Sequence, residues 1–558
     1  MKIVQLTKLS NLYVYLVLFL SIVPSIIWVA LDQRVWPWDQ AWYGQVSVEL
    51  FYRLTHSPLE WFQDMISAFG IKAPAVSWIG QFFVPFGQTI SSIEFGLLLS
   101  ILLTQFIVLL LIYHTILKLT DSLLISVISC FFASSAPLSV ALSHQYLVEP
   151  LQTASVAWTV LIMVFSPQWK VRRILLHLIS AISLGMLAKV TYPLYTLGAI
   201  LVIIYHVYNK LFKNKSLDRS NLKELKKSSF LSTFKPLYIS TFILLSSFLL
   251  WYGKNFQNIL SFSIQASSGE ASLLYGEKAD FLYKLHYWLV AFQQSFFVPI
   301  TLFCLVGVLI LTLAKKIYGF KKITKSQRLA YFYLTTIISL SQIILVLSVF
   351  SFQVNQENRY LLPLLPYLSI LIAWMLKISK QKLLVFFTGF ALVLQLFIVQ
   401  SQALGITPEN PNLSYWLYPI DRSSTNKKLL SKLVDTTCKI ESEKDRYNII
   451  GLELPWFNAN SASYFSAKQQ LKKDFRCYYT SLGYAEKDID KAWSRLFDLN
   501  INYFATLKPR SQAEAANPLN LVSFPILERI QSSPKFIREI FVDDQSHVLL
   551  YKKINSRS

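Results

Sequence analysis

"NLYVYLVLFLSIVPSIIWVALDQRVWPWDQAWYG" occupies residues 11–44. Residues 11–30 carry no charge and are long enough to cross about 30 Å of hydrocarbon as a helix. No small-residue cleavage site follows, so the stretch reads as a retained span and not as a removed signal peptide. Immediately after it come Asp32, Trp36, Trp38, Asp39, Trp42 and Tyr43. Indole and phenol rings suit the headgroup region. The aspartates do not, and they ask for another reason.

Apolar runs of the same kind recur near residues 93–117, 121–141, 150–166, 173–190, 192–208, 236–253, 288–314, 330–352, 360–376 and 383–400. With 54% hydrophobic and 15% charged residues and a mean hydropathy of +0.43, the composition is too apolar for a soluble protein. It fits a polytopic α-helical membrane protein of about eleven transmembrane helices. Lys and Arg number 53 against 31 acids, a formal charge of +22. A nucleic-acid binder could show that balance, but here the cations lie in short loops between apolar runs, so no nucleic-acid partner is expected. With Lys2 and Lys8 cytoplasmic, five cationic loops fall on the same side. They hold Lys118; Lys170, Arg172 and Arg173; the stretch Lys210 to Lys235; Lys315 to Arg328; and Lys377, Lys380 and Lys382. The expectation is a multi-pass protein of a bacterial inner or plasma membrane, with a cytoplasmic N-terminus.

Carboxylates, histidines and aromatics gather on the other side. In the first outer loop, residues 31–92, "GQVSVELFYRLTHSPLEWFQDMISAF" (44–69) has amphipathic helical spacing, with Phe51, Leu54, Leu59 and Phe62 opposite Glu49, Arg53 and Asp64. That suits a helix lying in the interface, and a second short one is expected at 75–84. Residues 1–400 read as the membrane domain and 401–558 as a small extracytoplasmic α/β domain. In the latter "YNIIGLEL", "CYYTSLGY", "INYFATL", "FIREIFV" and "SHVLLYKKI" read as strands, with "SASYFSAKQQLK" and "DIDKAWSRLFDL" as helices. Their alternation favours a partly parallel sheet. Cys438 and Cys477 could pair if this region faces an oxidising compartment.

Asp39, ringed by Trp36, Trp38, Trp42 and Tyr43, sits where partial desolvation could raise a carboxyl toward a working base. It also reads as the N-cap of the following helix, and spacing alone favours the cap. Asp32 reads as an ordinary loop acid. Glu149, in "SHQYLVEPL", has the same two readings, because Pro150 suits the first helical position. Lys72 in "IKAPAVSW", Lys189 in "LAKVTYP" and Arg359 in "ENRYLLP" are cations on the side where the positive-inside rule disfavours them. They read as binders of an anion such as a lipid phosphate, or as side chains snorkelling to headgroups. His56 and His144 lack a paired metal-ligand spacing; with Trp42, Tyr43, Tyr146 and Tyr360 they are candidate substrate contacts. The chain holds no GxxxxGK, GxGxxG or HExxH motif, which argues against nucleotide hydrolysis, a Rossmann cofactor and zincin chemistry. "DID" at 488–490 reads as a helix cap.

The ordered set of motifs resembles the GT-C class of integral-membrane glycosyltransferases, and is most similar to the protein O-mannosyltransferase and lipid A aminoarabinose transferase branch. The residues that carry the resemblance are Asp39 in "WDQAWYG", Lys72-Ala73-Pro74 for a "KPP"-like motif, Glu149 in "HQYLVEP", Ala188-Lys189-Val190 for a "TKG"-like motif, and "RYLLP" at Arg359 to Pro363. They cover roughly the first 370 residues. Gln40 stands where relatives keep a second acid, Glu149 replaces an aspartate, and "KAP" departs from "KPP".

The resemblance implies transfer of a sugar from a polyprenyl-phosphate carrier to a glycan, lipid or protein acceptor outside the cytoplasm, by a single inverting displacement. Asp39 would be the base, Lys72, Lys189 and Arg359 would hold the departing phosphate, and Glu149 would orient a substrate. No cofactor is certain, and a divalent metal at Glu149 stays open. A flippase or transporter is the rival reading, although such proteins place ionisable groups near mid-membrane. A lipid-linked glycan ligase or polymerase is opposed only by the order of the motifs.

Overall fold

The computed structural model describes residues 2–212, 230–318, 327–379, 381–408, 410, 413, 416–439, 447–508, 517–541 and 548–554. The cationic stretches 213–229 and 319–326, and Lys380, lie outside the described residues. The chain forms two compact units. One comprises Met1–Val29, Ile66–Val76 and Leu98–Pro419; the other comprises Ala30–Met65, Ser77–Leu97 and Ile420–Ser558.

Among the described residues eight helices are long and apolar enough to cross a membrane, and two further runs form bent helix pairs. With the shorter apolar helix Glu149–Phe165 they occupy the eleven apolar runs read from sequence. The protein is an integral, multi-pass membrane protein.

The bends have local causes. Leu123–Ser135 meets Pro137–Ser143 at 61°, and Phe281–Phe296 meets Pro299–Ile310 at 102°. A proline lacks an N–H and pushes the residue before it toward extended backbone; Ala136 has ψ 126. Backbone groups freed in hydrocarbon need protein partners. Gln395, in the helix Lys382–Ala403, supplies them. Its side-chain N–H₂ donates to Phe296 O and to Ser135 Oγ, both at 3.1 Å, while its carbonyl accepts from Val298 N at 3.0 Å.

Hydropathy places about thirty loop residues after Trp251. The structure instead continues the helix Phe230–Ser268 through the first half of them, and a 3₁₀ turn at Glu270–Leu274 follows. The polar residues that end the apolar run dock sideways and do not end the helix: Trp251 Nε1 donates to Ala68 O, Asn255 Nδ2 to Ile66 O and Lys254 Nζ to Ser67 Oγ.

The second unit joins part of the first loop to the C-terminal sheet. The loop helix is broken where sequence suggests continuity: Trp38–His56 ends at Ser57, and Pro58–Ser67 starts on the proline. Leu59 and Phe62 point outward from the second piece, while Arg53 pairs with Glu60 at 2.5 Å and with Asp64 at 3.2 Å. After the helix Ala75–Gly80, a 3₁₀ turn leads into Val84–Ile90.

All five expected strands form: β1 Tyr447–Ile450, β2 Tyr478–Ser481, β3 Tyr503–Leu507, β4 Phe536–Glu539 and β5 Val548–Lys553. The order is β2-β1-β3-β5-β4, with β1 parallel to β2 and β3, and β5 antiparallel to β3 and β4. Ile449, Phe504, Leu496, Ile526 and Tyr551 fill one face. Asp488 caps Ile489–Asp498 by accepting from Asp490 N and Lys491 N, as capping explains "DID". Cys438 and Cys477 form a disulfide.

The helix Ala459–Lys473 turns a small-residue face, Ser461, Ala462 and Ser466, into the unit. Ser461 Oγ donates to Trp36 O at 2.7 Å, and Trp36 stacks on Tyr464 with centroids 5.3 Å apart. Gly44 lies against both rings; a Cβ there would stand 3.0 Å from each, so a larger residue would have to push the rings aside.

Candidate active site

Three helix ends converge in the first unit. Glu149 is the first residue of its helix, where the dipole favours an anion. Lys189 follows the last residue of Val171–Ala188, where it favours a cation. Arg359 lies in the 3₁₀ turn Asn358–Leu364.

The Glu149 side chain is fully buried. Lys189 Nζ donates to its Oε1 at 2.7 Å, and Arg359 Nε stands 3.5 Å from the same oxygen. Arg359 Nη2 also donates to Glu357 Oε2 at 2.7 Å. Tyr360 OH donates to that carboxylate at 2.7 Å, and its ring lies beneath Lys189 Nζ at 3.8 Å. The Arg359 guanidinium faces Trp416 at 5.4 Å. These two cations are therefore half-buried in a charge-balanced cluster around the buried Glu149 carboxylate, and do not snorkel. Glu149 Oε2 is buried with no hydrogen-bond partner among the described residues. A buried carboxylate oxygen in that state calls for a donor such as a ligand hydroxyl.

Asp39 belongs to the second unit and is half-buried as the second residue of its helix. The cap position is Pro37, with no side-chain cap bond, so the N-cap reading of Asp39 does not hold. Trp38, just before it, has φ 22 and donates its indole N–H to Glu453 Oε2 at 3.0 Å. Burial pushes the Glu453 carboxyl up to about 7, against the bonds from Trp38 and Ala459 N. An unfolded glutamate loses its proton near pH ~4.3, so between there and about 7 only the native state holds it. This group's contribution to stability is thus full at acid pH and falls, by at most about 4 kcal/mol, as pH rises through about 7. The thermal-unfolding midpoint is expected to drop from about pH 5 to about pH 8 in wild type, and Glu453→Gln to flatten part of the drop; identical slopes in the two proteins would contradict it.

The remaining candidates are scattered. Lys72 is half-buried in the bend before Ala75–Gly80. Tyr146 is buried and donates to Val76 O at 2.8 Å, and His144 stacks on Trp28 at 4.2 Å, so both are packed into the bundle. His56 is exposed, stacked on Tyr52 and 3.8 Å from Asp474. Trp42 is half-buried in the same helix as Tyr43, whose carbonyl accepts from Ser77 Oγ. Asp32 is more than a loop acid: it pairs with Arg34 at 3.0 Å and accepts from Asp421 N at 2.9 Å. Among the described residues no group of three His, Cys, Asp or Glu side chains could hold a metal ion. Sequence reading passed over Glu357 and Glu453. The first lies two residues before Arg359, a spacing that signals a local pair; the second carries no local signal.

No family model and no curated protein matches this chain. Solved structures do. ArnT from Cupriavidus metallidurans, bound to undecaprenyl phosphate, superposes with a TM-score of 0.56 at 11% identity, covering 97% of this chain and 98% of that one. The chain has the GT-C fold. The apo state of the same ArnT gives 0.52 at 12% identity, with 97% and 98% covered. The archaeal oligosaccharyltransferase AglB from Archaeoglobus fulgidus, in complex with an inhibitory peptide and a dolichol-phosphate, gives 0.52 at 10% identity, covering 99% of this chain and 75% of that one. The GT-C likeness thus takes in the C-terminal sheet domain, which the sequence motifs do not reach.

Proposed function

We propose that this protein is a glycosyltransferase that moves a sugar from a polyprenyl-phosphate carrier to an acceptor hydroxyl on the extracytoplasmic face, with inversion. The observation that carries the reading is the Lys189–Glu149–Arg359 cluster with its buried, unmet carboxylate oxygen, in a chain with the fold of a protein that binds undecaprenyl phosphate. The disulfide Cys438–Cys477 supports an extracytoplasmic domain at 401–558, appended to a membrane domain at 1–400.

In this reading Asp39 takes the proton of the acceptor hydroxyl as its oxygen attacks the anomeric carbon. The bond from that carbon to the phosphate oxygen breaks, and the electron pair leaves with the lipid phosphate. Lys72, Lys189 and Arg359 stabilise the charge on the departing oxygens, and Glu149 Oε2 accepts from a sugar hydroxyl. The acceptor is a glycan, lipid or protein.

The test is a donor panel: purified protein in detergent with polyprenyl-phosphate sugars that differ in the sugar, with and without candidate acceptors. Release of free polyprenyl phosphate is the expected result. Folded protein that turns over no donor, while moving lipid-linked glycan across proteoliposomes, would replace the reading with transport.

A further inference from the structure

The second unit ties the loop that bears Asp39 to the C-terminal domain at successive points. Trp36 O accepts from Ser461 Oγ at 2.7 Å and its ring lies flat on Tyr464. Two residues on, Trp38 Nε1 donates to Glu453 Oε2 at 3.0 Å. Glu453 is itself pinned: its N–H donates to Asn520 Oδ1 at 2.7 Å, and Asn520 Nδ2 donates back to its carbonyl at 3.2 Å. Trp38 has φ 22, a sparsely populated backbone state for a residue with a side chain, and such a state persists only where its surroundings hold it. Asp39 is the next residue.

We propose that Glu453 is a positioning residue for Asp39: its carboxyl anchors the Trp38 indole, and with it the first turn of the helix that carries the base. This rests on the assignment of Asp39 as the base. Glu453 touches no reacting atom; it acts through Trp38. An indole N–H alone could be met by water or by a backbone carbonyl. A carboxylate kept largely out of water is a costly partner, and burial raises its pKa accordingly. What it adds is a directional bond to a side chain one residue from the base. The C-terminal domain thereby becomes a support for the chemistry, beyond any choice of acceptor.

The experiment uses full-length protein and the polyprenyl-phosphate sugar turned over in the donor panel. It compares wild type with Trp38→Phe, Glu453→Leu, Glu453→Gln and Asp39→Asn, reading kcat and donor KM separately, and binding of undecaprenyl phosphate as a second readout. Loss of the anchor is expected to lower kcat by about 10- to 100-fold in Trp38→Phe and in Glu453→Leu, with KM and undecaprenyl phosphate binding within about twofold of wild type. Glu453→Gln restores most of the turnover that Leu loses, because an amide oxygen still accepts from the indole. Trp38→Phe leaves the C-terminal domain untouched, so it decides the matter where Glu453→Leu does not fold. Wild-type kcat in Trp38→Phe, or a loss confined to KM, overturns the anchoring while an inactive Asp39→Asn leaves the base in place. A fully active Asp39→Asn overturns the base itself.

Discussion

Asparagine at position 39 is expected to lower sugar transfer by about 10³-fold, the middle of the range for a lost general base, with the protein still folded. The substitution preserves size and shape and removes the ability to take a proton. Structure limits its other costs. Asp39 is not the helix cap, which is Pro37, so no capping bond is lost with the charge. The carboxylate also sits in the first turn of its helix, where its attraction to the helix dipole is worth up to about 1 kcal/mol. A residue that only favours a helix start would therefore show the reverse pattern: a slightly lower unfolding midpoint and unchanged turnover. The measurement is kcat with donor and acceptor at saturation, beside binding of undecaprenyl phosphate, which Asp39→Asn should leave intact. Turnover equal to wild type would remove Asp39 from the mechanism.

The parts of this fold that are legible in sequence are those whose physics is local. A helix in hydrocarbon must be apolar on every face for about 20 residues, and eleven such runs stand out. Five short β-branched and aromatic runs between turn residues announce the sheet, and Asp488 announces its helix. Pro137 and Pro299 mark both bends, although hydropathy averages over them. The continuation of Phe230–Ser268 is illegible for the opposite reason: Lys254 and Asn255 look like a helix leaving the membrane until Ser67 and Ile66 appear beside them.

For the candidate site, Glu149, Lys189 and Arg359 could be picked out as misplaced charges, but their mutual neutralisation could not. Helix ends 40 and more residues apart share no periodicity. The union of the first loop with the C-terminal domain is the extreme case. Trp38 and Glu453 stand 415 positions apart, and Trp36 and Ser461 stand 425 apart. Nothing in "WPWDQ" names the partner that its indole requires.

Glu149→Gln is expected to cost both fold and function, and its double mutant separates the two. The carboxylate is fully buried and neutralises Lys189 at 2.7 Å and Arg359 at 3.5 Å. Removing its charge leaves the cluster with an excess of positive charge, and breaking a buried ion pair from one side costs about 3–5 kcal/mol. Folded yield should fall sharply. Lys189→Met removes a cation instead, and leaves Glu149 with Arg359, so its effect on yield is smaller. Combined in one chain, Glu149→Gln and Lys189→Met restore the charge balance, and the folded yield should recover well beyond that of Glu149→Gln alone, a coupling that a double-mutant cycle reads directly.

Turnover should not follow. If the cluster served packing only, the rebalanced protein would release polyprenyl phosphate like wild type. If Lys189 stabilises the departing phosphate, the folded double mutant stays slower by about 10²–10³-fold, the usual cost of losing one charge-stabilising group in a transition state. Folded protein that remains inactive assigns the Glu149–Lys189 pair to the chemistry; folded protein that regains wild-type turnover confines the pair to the fold.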